Sequence, residues 1–151
     1  HQIPVLKRSE LLAEIVISKK TIAIGGTSGK STTSAMIFDI LKYAGLEPSI
    51  ISGAGLVSII KEGKIGNADV GNGDWLVIEA DESDGSIVQY HAAIGVLLNV
   101  DKDHKEINVL MDVFAQFRNN SEHFIVNRSH PLAATLSIGI KNDFSVSTVI
   151  L

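Results

Sequence analysis

Three short stretches hold residue types and spacings able to do chemistry. In the first, Gly25-Gly26-Thr27-Ser28-Gly29-Lys30-Ser31-Thr32-Thr33 follows the apolar run Thr21–Ile24 and leads into a helical pattern. Glycines let the backbone turn tightly, so that several N–H groups converge beside the positive end of the next helix and form an anion site. Lys30 would reach β- and γ-phosphates, and the Ser31 hydroxyl would face a magnesium ion. The general pattern places a glycine six residues before the lysine, where this chain has Ile24. An ordinary strand-to-helix turn also uses glycine and serine. Gly-Lys-Ser between a strand and a helix favours phosphate.

The second stretch runs from Trp75 to Ser86 and sets Glu79 at the end of an apolar strand, followed by Asp81, Glu82 and Asp84. A carboxylate at the end of a neighbouring strand is where P-loop proteins hold the magnesium that bridges nucleotide phosphates. For Asp81, Glu82 and Asp84 a solvated loop capping the next helix explains the charge equally well. The third stretch, Gly95 to Glu106, repeats the arrangement with Asn99, Asp101, Asp103 and His104 after an apolar strand. His104 could ligate a metal through one ring nitrogen, a carboxylate fixing the other, or could cap a helix at the surface. His1, His91, His123 and His130 lack such surroundings.

These groups need a scaffold that delivers three strand ends to one edge. Leu11, Leu12, Ile15 and Val16 recur at helical spacing ahead of the first strand, and Met36, Ile37, Ile40, Leu41 and Ala44 form an apolar stripe behind the loop, closed by Gly45. Ser49–Ser52, Trp75–Ala80, Ala93–Val100 and His123–Asn127 read as strands, with a hairpin turn at Glu62-Gly63-Lys64. The runs beginning at Trp75 and Ala93 are continuously apolar, as strands covered on both faces are. Ile107, Leu110, Met111, Phe114 and Phe117 line one face of a later helix. Pro131–Leu136 is a short helix, and Ser137–Ile140 and Ser145–Leu151 are late strands. The whole predicts a three-layer α/β domain of P-loop type, its mostly parallel sheet flanked by helices.

Composition narrows the classes. The 151 residues suffice for one domain, and 45% hydrophobic with 20% charged residues is a globular balance. A formal charge of −4 argues against nucleic-acid binding. The absence of cysteine removes thiolate metal sites and fits a cytoplasmic setting. No apolar run approaches the roughly 20 residues that cross a bilayer, and no leader pattern opens the chain. Ending on Val149-Ile150-Leu151 with no cap or polar tail suggests a domain cut short at its C-terminus.

Together the three stretches resemble the central ATPase domain of the Mur ligases, the amide-forming enzymes of peptidoglycan precursor synthesis. Gly26–Thr33 is similar to the Gly-Thr-His-Gly-Lys-Thr-Thr-Thr loop of the branch that joins L-alanine to UDP-N-acetylmuramate, with Ser28 for histidine and Ser31 for threonine. Glu79-Ala-Asp-Glu-Ser-Asp-Gly-Ser86 matches that branch's acidic signature, and Asn99–His104 resembles its Asn-Ile-Glu-x-Asp-His. That loop also departs from the general spacing, which accounts for Ile24.

The resemblance implies residues 1–20 as linker and leading helix, and 21–151 as the central domain, without the family's N-terminal UDP-binding and C-terminal domains. It implies ATP and Mg2+ as cofactors, with Gly26, Thr27, Ser28, Gly29, Lys30, Ser31, Thr32 and Asn99 around the nucleotide. Ser31, Glu79 and His104 would hold metal, Lys30, Glu79 and His104 would act in catalysis, and Ser83, Asp84, Gly85 and Ser86 would face the sugar-peptide substrate. The implied reaction passes the γ-phosphate to a carboxylate, and an amine displaces it to give an amide. UDP-N-acetylmuramate and L-alanine, or a murein peptide in cell-wall recycling, are the implied partners. A P-loop switch that makes no amide, a ligase with another acceptor and a degenerate structural domain are the rival readings.

Overall fold

The computed structural model describes residues 5–83, 85–102, 105–139 and 141–146. Helix α1 (Arg8–Ser18) opens where the Lys7 backbone N–H donates to the Glu10 carboxylate at 2.8 Å, and it leads into strand β1 (Lys20–Gly25). The glycine loop follows, then α2 (Lys30–Tyr43), β2 (Ser49–Ile51), α3 (Val57–Lys61), the two-residue β3 (Ala68–Asp69) and β4 (Trp75–Glu79). A 3-10 turn at Ser86–Gln89 stands in place of a crossover helix before β5 (Ile94–Leu97). Helix α4 (Ile107–Asn119), β6 (His123–Val126) and the short α5 (Pro131–Ala134) complete the order.

The strands form one sheet in the order β3-β2-β4-β1-β5-β6, and every pairing is parallel except the edge pair of β2 with β3. This is the mostly parallel sheet expected from the apolar runs. β1 lies between β4 and β5, with Ile24 level with both Glu79 and Val96, and Gly25 level with Leu97. The chain passes from β1 outward to β2 on one side, then crosses back to β5 on the other. The carboxyl ends of β4, β1 and β5 therefore meet at a topological switch point, where open α/β sheets bind ligands.

Alternation along β1 divides its side chains between two cores. Ile22 and Ile24 pack with Val96 and Leu98 against Ile37 and Leu41 of α2. Ala23 joins the larger cluster on the other face, with Val16 of α1, Ile87, Tyr90, and Leu110, Phe114 and Phe117 of α4. The three expected layers are present. A Cβ on Gly25 would come within 3.1 Å of the Phe117 ring and 3.3 Å of Ile87 Cδ1, so the absence of a side chain lets α4 close on the end of β1. The α4 face is as its spacing implies: Leu110, Phe114 and Phe117 are buried, with Phe117 edge-on to Phe124 at 5.5 Å.

Several expectations are corrected. In α2 the buried residues are Ser34 and Phe38, flanked by Ala35, Ile37 and Leu41, while Met36 and Ile40 are exposed. At 100° per residue Met36 and Ile40 lie roughly 160° round from Phe38, so the apolar stripe mixes two faces. Leu11 of α1 is likewise half-exposed, and Val16 carries the buried contact. Glu62-Gly63-Lys64 is the C-terminus of α3 and not a hairpin turn: Gly63 takes φ +80° and its N–H donates to the Ile60 carbonyl, while Lys64 N–H reaches Ile59. Ser137–Gly139 form no strand, and Phe144 makes one isolated parallel bridge to Asn127. The remainder of the two late strands, Ile140 and residues 147–151, lies outside the described residues.

Candidate functional site

The glycine loop leaves β1 at the switch point and closes at Gly29, whose φ of +80° sets the left-handed turn immediately before α2. Lys30 is the first helical residue and bends back over the loop, its ammonium donating to the Gly26 carbonyl at 2.6 Å. The loop is braced from β5. Asn99, two residues beyond that strand, accepts at Oδ1 from the Ser28 N–H and the Thr27 hydroxyl, both at 2.9 Å, and donates through Nδ2 to the Ser28 carbonyl at 3.0 Å. The Asp101 N–H donates to Thr27 Oγ1 at 2.9 Å. Asn99 thus shapes the loop by holding its backbone on both sides of Ser28.

Glu79 arrives from β4, level with Ile24, and faces the start of α2. Its Oε2 accepts from the Ser31 hydroxyl at 3.0 Å, while Oε1 accepts from the Ser52 hydroxyl at 2.6 Å and the Gly53 N–H at 2.8 Å. Ser31 and Glu79 are brought together as expected. Ser52 and Gly53 were not singled out in the sequence, and the only signal for them is a small polar pair directly after β2. A Cβ on Gly53 would stand 3.3 Å from Glu79 Oε2, so the chain passes close under the carboxylate.

The acidic loop after β4 is not uniformly solvated. Glu82 is only 5% exposed and chelates the Lys30 ammonium at 2.9 and 3.2 Å, and its own carbonyl accepts from Lys105 Nζ at 2.7 Å. Asp81 follows the alternative reading: Oδ1 accepts the Ser83 N–H at 2.8 Å and its carbonyl accepts from Ile87 N–H, so it shapes the turn into the 3-10 segment. Ser83 is exposed and Gly85 turns at φ +73°, whereas Ser86 is buried beneath the turn. Asp84, Asp103 and His104 lie outside the described residues. Among the described residues no cluster of three or more histidines and carboxylates forms a metal cage.

His130, for which the sequence offered no role, joins the last brace. Its Nδ1 accepts from the N–H groups of Ala133 and Val100, both at 3.4 Å, and Nε2 lies 3.1 Å from Asp101 Oδ1. With Nδ1 accepting, the ring proton sits on Nε2 and points at that carboxylate. The ring joins the start of α5 to the segment that supports Thr27. Its signal is the His-Pro pair, a helix cap followed by proline at the first helical position.

The site combines a glycine loop braced by Asn99, the Lys30 ammonium, and the Ser31 hydroxyl beside the Glu79 carboxylate at the mouth of a parallel sheet. That is the arrangement of a P-loop α/β domain. No family model matches the chain. It is 35% identical over 148 residues to the UDP-N-acetylmuramate–L-alanine ligase of Maricaulis maris, a match covering 93% of this chain and 31% of that protein. It is 46% identical over 121 residues to the ligase of the same name from Geotalea uraniireducens, covering 78% and 25% respectively. The fold superposes on UDP-N-acetylmuramate–alanine ligase MurC of Thermotoga maritima with a TM-score of 0.79 at 24% identity, over 93% of this chain and 32% of that one. It also superposes on MurF ligase of Thermotoga maritima, solved with ADP, at 0.65 and 20% identity, over 95% and 37%. Over the matched stretch the chain is similar to Mur ligases. It spans between a quarter and a third of the length of these alanine-adding relatives.

Proposed function

We propose that this chain is the nucleotide-handling segment of an ATP-dependent ligase that joins L-alanine to UDP-N-acetylmuramate. The observation that carries the reading is the Ser31–Glu79 pair, 3.0 Å apart, set at the mouth of a loop that holds Lys30. The residues named for the nucleotide, Gly26 through Thr32, form one continuous cradle in this reading, with Asn99 as its brace. Residues 21–151 would serve as the central domain, working in the cytoplasm with flanking domains that hold the uridine nucleotide and complete the amino-acid site.

In that role the carboxylate of the sugar nucleotide attacks the γ-phosphorus of ATP and ADP departs. The amine of L-alanine then attacks the acyl carbon and phosphate leaves, with loss of one amine proton, giving the amide. Loop N–H groups and Lys30 would hold the phosphates in line and balance charge that builds on the departing oxygen. Ser31 and Glu79 offer the hard oxygen donors that magnesium prefers and would hold that ion, which when bound supplies further neutralisation of the phosphates. His104 is proposed as a further metal ligand, and Ser83, Asp84, Gly85 and Ser86 as the substrate side of the site.

ADP release by the full-length protein, given magnesium-ATP and UDP-N-acetylmuramate with and without L-alanine, tests the proposal. Release that requires both supports it. Release with a murein tripeptide in place of L-alanine assigns the chain to peptide recycling, and release under no condition leaves a nucleotide-binding module.

A further inference from the structure

Lys30 has no donor to spare. An ammonium carries three N–H groups, and Lys30 directs them at the Gly26 carbonyl and at both carboxylate oxygens of Glu82. Gly26 belongs to the loop itself. Glu82 does not: it lies in the irregular segment after β4, with its side chain almost wholly buried against the lysine. A phosphate oxygen reaching Lys30 must therefore take the place of an oxygen already there. Carboxylate and phosphate oxygens accept the same charge-assisted hydrogen bonds, so the exchange is of one anion for another.

We propose that Glu82 is a positioning residue that occupies the phosphate-facing side of Lys30 while the loop is empty, and that nucleotide binds by displacing it. The inference rests on the nucleotide reading of the loop. A buried carboxylate that loses its paired cation is strongly disfavoured, and Lys105, whose Nζ already holds the Glu82 carbonyl at 2.7 Å, is the neighbour placed to receive it. The device keeps Lys30 extended over the loop in the absence of ligand. It also sets a threshold: a polyphosphate reaching the loop N–H groups as well as the lysine outcompetes the carboxylate, whereas a single phosphate meets a filled site.

The test is ADP affinity, by calorimetry on the full-length protein, for wild type, Glu82→Gln, Lys30→Met and the double variant. The latch predicts that Glu82→Gln binds ADP about tenfold tighter, on the scale of an internal anion removed, and that the double variant binds no better than Lys30→Met alone. Glu82→Gln binding ADP as wild type or more weakly overturns the latch. In that case Lys30→Met still weakening ADP leaves the nucleotide reading standing, whereas Lys30→Met binding like wild type removes that reading as well. Circular dichroism melting reports folding; if Glu82→Gln fails to fold, Glu82→Asp, whose carboxylate is drawn back by one methylene, must bind ADP more tightly than wild type or the latch falls.

Discussion

Lys30 and Asn99 answer to different causes, and substitution should separate them. Lys30→Ala removes the charge at the loop and, on the proposed reading, should abolish ADP formation by the full-length protein while the far-ultraviolet spectrum stays native; turnover in a folded full-length variant would refute its role. Asn99→Ala removes no charge, but it leaves the Ser28 N–H and carbonyl and the Thr27 hydroxyl without their shared partner. These bonds are exposed or part-buried and are worth about 0.5–1.5 kcal/mol, so ADP affinity should fall by up to about tenfold with a small fall in melting temperature. The residues legible from sequence were those whose chemical type is uncommon at a strand end: a lysine after glycines, a glutamate after an apolar run. Ser52, Gly53 and His130 escaped because their roles come from where β2 and α5 end in space, and serine, glycine and histidine are ordinary in loops.

Among the elements, α4 was readable because every residue of its apolar face is large, and α2 was not because apolar residues sit on both of its sides. Phe114→Ala should lower stability by about 3–5 kcal/mol, whereas Met36→Ala should stay within about 0.5 kcal/mol; urea denaturation of the two variants checks the assignment of faces. The end of α2 is also tied to the end of α3 and to β3 through charge. Glu62 accepts from Lys42 at 2.8 Å and lies 3.1 Å from Lys64, which in turn reaches Asp69 at 2.6 Å. The Lys42 hydrogen bond, then that of Lys64, holds the Glu62 carboxyl below its usual range, and Asp69, then Glu62, raises the Lys64 ammonium. The Glu62 contribution is present above the ordinary carboxylate range and fades as pH falls through its lowered value. The Lys64 contribution is present below the ordinary lysine range and fades as pH rises through its raised one. Glu62→Gln should therefore shift the melting temperature downward slightly at neutral pH, less in strong acid, and not at all in about 1 M salt, where exposed pairs are screened. The supposed hairpin at this place shows how a Gly flanked by charges is ambiguous: helix ends and tight turns both ask for a positive φ.

At the scale of the molecule, the layer plan followed from two continuous apolar strands and from helices of period 3.6, and the sheet order did not, since nothing local states that β5 will settle across β1 from β4. Both cores share β1, so the two helix layers should not melt separately. Urea unfolding followed by the single tryptophan, Trp75, should coincide with the loss of helix signal; divergent midpoints would mean that the layers are independent. The bare end of β1 carries a further meaning. Because Gly25 offers no side chain, the ring of Phe117 and the tip of Ile87 lie directly beneath the first residue of the loop. The cradle stands on an aromatic plinth whose height is fixed in the hydrophobic interior. A conservative change at position 117, far from solvent, would tilt the loop as a wedge tilts a lens mount, and affinity for nucleotide could drift without any alteration to a residue that touches it.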